Sequence, residues 1–64
     1  MNIIEGIHLE MKRCRKLIGI YHTIPAGAFG AAMIEQDIIA AENAIASGDT
    51  VEMIRCYKTL KECK

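Results

Sequence analysis

Residues 24–32 read Ile-Pro-Ala-Gly-Ala-Phe-Gly-Ala-Ala, and this stretch decides the fold because it separates two helical patterns. A proline disfavours helical geometry in the residue before it, so the first helix should end near His22 or Thr23. The stretch lies inside an uncharged segment, residues 17–34, that is long enough to raise the question of a membrane span. Its proline, its glycines and the polar His22 instead predict a buried helix end followed by a turn, with no membrane span.

The segment before the turn has the apolar spacing of an amphipathic helix. Its apolar residues recur at alternating intervals of three and four, which predicts one continuous buried row on a helix over residues 2–23. Asn2, with Glu5 three residues later, is typical of a helix N-cap. The row consists of Ile4, Ile7, Met11, Cys14, Ile18 and Tyr21.

The segment after the turn is apolar on two sides. A helix is predicted over residues 29–47, and a helix of this kind is usually central in a bundle or an oligomer. Its main row is Ala31, Ile34, Ile38, Ala41 and Ile45, and its second face is Met33, Ala40 and Ala44.

A second break follows at Ser47-Gly48-Asp49. Gly48 suits the left-handed position that ends many helices, and Asp49 with Glu52 three residues later suits the start of another. The sequence therefore predicts a third helix over residues 49–63. Glu52 and Arg55 are spaced for a surface ion pair on it.

These patterns predict an all-α fold, a short three-helix bundle made of a helical hairpin and a C-terminal helix in a single domain over residues 1–64. A chain of 64 residues buries little of its surface, yet 52% of the residues are hydrophobic. Excess apolar surface on so small a body favours association. We therefore expect homo-oligomerisation to complete the bundle.

The charge pattern argues against a duplex nucleic-acid partner. Residues 1–28 carry four basic and two acidic side chains, residues 29–49 carry four acidic and no basic ones, and residues 50–64 again carry four basic and two acidic ones. The segments sum to +2, −4 and +2, so the net charge is zero. A neutral chain lacks the cationic surface that duplex binding requires.

The cysteine count and the histidine spacing exclude several kinds of site. Three cysteines, an odd number, predict reduced thiols and a cytoplasmic setting. His8 and His22 are fourteen residues apart, about 21 Å along a helix, so they cannot share a metal ion. No catalytic set shows the required spacing. We expect neither an enzyme nor a metal or cofactor site.

The helix that follows the turn has no Ser, Thr, Asp or Asn immediately before it, so its first N–H groups need another partner. A glycine-rich turn that leads into a helix N-terminus suits an anion, and nearby cations and aromatic rings suit a nucleotide. An alternative is a purely structural turn with Phe29 in the core. The candidate ligand-binding residues are Gly27, Ala28, Phe29, Gly30, Tyr21, His22, Arg15, Arg55 and Lys58.

Residues 24–34, together with Ala-Ile-Ala-Ser-Gly-Asp at 44–49 and Met-Ile-Arg-Cys-Tyr at 53–57, resemble small helical proteins of bacteriophages and prophages. Many proteins of that kind act against host defences. Some inhibit effector complexes by direct contact, and others are oligomeric sponges for nucleotide signals. The resemblance implies an anti-defence protein in the host cytoplasm and assigns no functional residues.

Two functional hypotheses follow. In the first, a homo-oligomer sequesters a small anionic, nucleotide-like signalling ligand at the turn. In the second, the protein is an inhibitor or adaptor that docks a helix face on a host protein. The residues that favour the second are Leu9, Leu17, Ile20, Ala40 and Ala44.

Overall fold

The computed structural model describes residues 2–63 as three α-helices: α1 (Ile3–His22), α2 (Ala28–Ser47) and α3 (Thr50–Glu62). Each helix packs against the other two. The predicted all-α three-helix fold is confirmed, and the predicted helix bounds agree with the observed ones to within one residue. The body measures 37 × 19 × 16 Å, so it is elongated along α1 and α2.

The predicted helix ends are confirmed by their hydrogen bonds. The Asn2 side chain accepts from the Glu5 amide at 2.9 Å, and the Asp49 side chain accepts from the Glu52 amide at 3.1 Å. Both bonds satisfy an N–H group that helix geometry leaves free. Gly48 ends α2 with a φ of 70°, which is the left-handed geometry that glycine adopts without strain.

The core lies along the centre of all three helices. Two of the predicted burial assignments are wrong. Ile4 was predicted in the buried row of α1 but is 40% exposed. Ala44, assigned to a second face of α2, is buried, whereas Met33 and Ala40 of that face are exposed. The buried apolar residues are Ile7, Met11, Cys14, Ala31, Ile34, Ile38, Ala41, Ala44, Met53, Cys56 and Leu60.

Arg13 joins α1 to the end of α3. Its guanidinium donates to the Leu60 carbonyl at 2.6 Å and to the Cys63 carbonyl at 2.8 Å, and it also binds Glu10 at 2.9 Å. A cation at a helix C-terminus satisfies free carbonyls and complements the helix dipole. Lys12, Arg15 and Lys16 on the same helix are exposed, whereas Arg13 is only partly exposed.

The helix α3 is shorter than the α1–α2 hairpin against which it packs. Its C-cap residue, Cys63, accepts from Arg13 of α1 through its carbonyl and contacts Asp37 of α2 through its thiol at 3.5 Å. Arg13 and Asp37 each lie ten residues from the turn, about 15 Å at the rise of an α-helix. The described part of α3 therefore stops about 15 Å short of the tip of the hairpin. We call residues 17–33 the hairpin end.

Within residues 2–63, no helix combines the length and the apolar character that crossing a bilayer requires.

Candidate functional site

The hairpin end is shaped by a turn in which the backbone folds onto itself. The Ile24 amide donates to the Tyr21 carbonyl at 3.1 Å, and the Gly27 amide donates to the Ile24 carbonyl at 2.8 Å. A Cβ atom at position 27 would overlap the Tyr21 carbonyl oxygen. Glycine is therefore required at position 27 by close backbone packing, whether or not a ligand binds there.

The floor of the hairpin end is the ring of Tyr21 lying against Gly30. A Cβ atom at Gly30 would sit 3.8 Å from that ring, which is an ordinary contact. Phe29 lies beside this floor and is 76% exposed. The alternative in which Phe29 fills the core is therefore wrong.

Large apolar side chains surround that floor on the side of the hairpin where α3 packs further down. Ile20 follows Arg13 by seven residues and Met33 precedes Asp37 by four, so each shares a helix face with a residue that contacts the end of α3. Beyond the end of α3 nothing in residues 2–63 covers this side. The exposed fractions are 56% for Ile20, 46% for Ile24, 76% for Phe29 and 55% for Met33.

The N-terminus of α2 is uncapped, as the sequence predicted. Gly27 occupies the cap position and provides no side-chain hydrogen bond. The Ala31 amide is the first in the helix to find an acceptor, the Gly27 carbonyl at 2.9 Å. The amides of Ala28, Phe29 and Gly30 have no acceptor among residues 2–63.

The candidate cations lie apart from that helix start. Arg15 pairs with Glu42 at 3.7 Å in a cleft between α1 and α2. Arg55 pairs with Glu52 at 3.2 Å, as its spacing predicted, and Lys58 is exposed on the same helix. Since α3 ends below the hairpin end, one copy does not bring Arg55 or Lys58 to the turn. The cleft is lined by Arg15, Ile18, His22, Glu35, Ile38, Ile39 and Glu42.

The nine candidate residues thus fall into three groups. Ala28, Phe29 and Gly30 lie at the hairpin end with Tyr21, around the buried Gly27. Arg15 and His22 line a side cleft that also carries the carboxylates of Glu35 and Glu42, an unfavourable place for an anion. Arg55 and Lys58 form the third group, on α3. The residues that sequence reasoning missed are Ile24 and Met33, whose exposure depends on where α3 ends.

The three cysteines are free thiols, and two of them lie in the core. Burial raises the pKa of Cys14 and of Cys56. Burial, with the nearby Cys14 and the Asp37 carboxylate, raises the pKa of Cys63 to about 11. Reactive cysteines have lowered pKa values, and the shifts of these three thiols are in the opposite direction. No three His, Cys, Asp or Glu side chains in residues 2–63 are placed to hold a metal ion.

Comparison of the chain with known protein families, curated proteins and solved structures gives no match.

Proposed function

We propose that this protein acts by binding another protein chain, with the hairpin end as the binding surface. The observation that carries the proposal is the length difference between α3 and the hairpin. Among residues 2–63 the tip of the hairpin extends about 15 Å beyond the end of α3, and none of these residues covers the apolar surface there.

The size of this surface supports the proposal. With roughly 200 Å² for a fully exposed large side chain, Ile20, Ile24, Phe29 and Met33 together expose on the order of 500 Å². This is the size of the largest apolar patch on a typical monomer, about 300–600 Å², and such a patch is often functional. Phe29 is the most exposed of the large apolar residues, and an aromatic side chain at the centre of an interface often dominates the binding energy.

The biological setting that we propose comes from the resemblance to small bacteriophage proteins. In that setting the protein counters a host defence in the host cytoplasm, by contact and not by catalysis. Three free thiols, none lowered in pKa, agree with a reducing compartment and a non-catalytic role.

Site-specific photo-cross-linking tests the proposed surface. A benzophenone amino acid is placed at position 29 and, as a matched control, at position 9. Leu9 is also exposed, at 58%, but lies on α1 away from the hairpin end. We expect covalent adducts with a protein chain, of this sequence or another, at position 29 and few at position 9. Equal labelling at both positions, or no adducts at 29, would contradict the proposal.

A second candidate function is the sequestration of an anionic, nucleotide-like ligand at the start of α2. It is supported by the amides of Ala28, Phe29 and Gly30, which have no acceptor among residues 2–63, and by the aromatic rings beside them. Arg55 and Lys58 lie on α3 away from the turn, and Arg15 is paired with Glu42, so a second copy would have to bring Arg55 or Lys58 to such a ligand.

Isothermal titration with cyclic and linear nucleotides tests this second candidate. The Ala28→Glu variant places a carboxylate at the helix start, where it would repel an anion but favour the helix. We expect heat with at least one nucleotide for the unmodified protein and a marked loss for the variant. The absence of heat with every nucleotide would exclude the candidate.

A further inference from the structure

We propose that the chain which covers the hairpin end is a second copy of this protein, packed antiparallel to the first about a two-fold axis. This inference rests on the proposed function, because it names the partner of the same surface. Three properties of the hairpin end favour a second copy: its stepped shape, its lack of charge and its area.

The shape is that of a step. Within residues 2–63, three helices are packed side by side up to the level of Cys63, and two of them continue beyond it. Two copies can face each other through their hairpin ends with their helix axes antiparallel. Each hairpin end then occupies the space beyond the end of the other copy's α3. The parallel arrangement places both copies of α3 in the same space and is excluded by overlap.

The charge distribution suits contact with an identical surface. A two-fold interface brings like residues together, so a charged patch would repel itself. Residues 17–34 contain no Asp, Glu, Lys or Arg. The nearest charged residues on the same faces are Lys16 and Asp37, each four residues below an apolar residue of the hairpin end. A partner recognised by charge would find no opposite charge to meet on this surface.

The area suits a dimer. A specific interface buries about 800 Å² on each partner. Ile20, Ile24, Phe29 and Met33 supply on the order of 500 Å² of that on each copy. Leu17 and Tyr21, which are half-buried between them, and the exposed turn backbone extend the surface further.

The proposed geometry predicts which helices and residues of the two copies lie next to each other. In an antiparallel two-fold contact, α1 lies beside α1 of the second copy and α2 beside α2. Ile20 and Met33 are then close to the two-fold axis and to their own counterparts. Val51, which is 70% exposed on α3, stays in solvent.

Sedimentation equilibrium with surface variants tests the occupant. Phe29→Glu adds a carboxylate in the first turn of α2, and Met33→Lys adds a cation four residues before Asp37, so both changes favour the isolated helix. Each puts a charge into the proposed apolar contact. We expect a dimer for the unmodified protein and for the Leu9→Glu control. For Phe29→Glu and Met33→Lys, the dissociation constant of the dimer should be roughly 30-fold or more above that of the unmodified protein.

Disulfide trapping tests the orientation. A Met33→Cys variant, oxidised with glutathione disulfide, should form a covalent dimer linked through position 33, with two molecules of glutathione released for each disulfide formed. A Val51→Cys variant is the matched control and should form few dimers, as should the unmodified protein with its own thiols.

The outcomes separate the two proposals. A monomer at all micromolar concentrations would overturn the second copy as occupant. If position 29 then cross-links to a different protein, the proposed function stands and only its partner is changed. If position 29 cross-links to nothing, both proposals fail. A dimer that Phe29→Glu and Met33→Lys leave intact would place self-association on another surface and overturn the inference.

Discussion

Replacement of Arg13 by alanine should lower the free energy of unfolding more than replacement of any other charged residue of α1 by alanine. The guanidinium makes two hydrogen bonds to carbonyls at the C-terminus of α3. A hydrogen bond to a charged group contributes about 1.5–3 kcal/mol to stability. The Arg13 side chain is 40% exposed, so water and salt screen part of that contribution. A loss of about 2 kcal/mol in the free energy of unfolding is the expected result.

Thermal unfolding followed by circular dichroism measures this loss. For a domain of this size, 1 kcal/mol corresponds to roughly 4–8 °C in Tm, so Arg13→Ala should lower Tm by about 8–16 °C. Lys12→Ala is the matched control, because Lys12 is an exposed cation on the same helix. It should change the free energy of unfolding by no more than about 0.5 kcal/mol.

Amide exchange adds a local test of the same contact. Without Arg13, the Cys63 carbonyl loses its donor, and the Leu60 carbonyl keeps only the Cys63 amide and the Cys14 thiol. Amides near Leu60 should therefore exchange faster than in the unmodified protein, and those near Met53 should change less. Arg13→Lys keeps the charge but lacks the two-pronged geometry of the guanidinium. Its Tm should lie between that of the unmodified protein and that of Arg13→Ala. Equal Tm values for Arg13→Ala and Lys12→Ala would refute the role that we give to Arg13.

Three further predictions concern the turn and the thiols. Gly27→Ala should lower Tm sharply because its Cβ overlaps the Tyr21 carbonyl, whereas Gly30→Ala should raise Tm because its Cβ makes an ordinary contact and alanine favours the helix; equal Tm values would contradict this. Ala28→Asp should raise Tm by placing a carboxylate at the uncapped start of α2, and a lower Tm would contradict it. The pKa of Cys63 is raised from 9.0 to about 11, so its contribution to stability is complete below pH 9 and is lost as pH rises toward about 11. Urea unfolding across that range should show a steeper loss for the unmodified protein than for Cys63→Ser, and parallel curves would contradict it.

The helices could be predicted because their signals are local. Asn2, Gly48 and Asp49 mark helix ends through short-range geometry, and the spacing of apolar residues marks the buried faces. The uncapped start of α2 was equally visible, since it depends only on the residues next to it.

The packing level of α3 could not be predicted, because it depends on contacts between residues far apart in the chain. Arg13 meets the Leu60 carbonyl 47 positions away, and Asp37 meets Cys63 across 26 positions. No periodicity encodes these pairings. They decide which part of the hairpin remains uncovered, and therefore why Met33 is exposed and why Arg55 lies away from the turn.

Nuclear magnetic resonance of the amide groups over a dilution series tests the central claim most directly. If two copies associate through their hairpin ends, the amide shifts of residues 17–24 and 28–36 should change with concentration and follow one dissociation curve. The amides of residues 50–58 on α3 should stay constant and serve as the internal reference. Shifts that do not depend on concentration, or that change mainly around Val51 and Ile54, would contradict the claim.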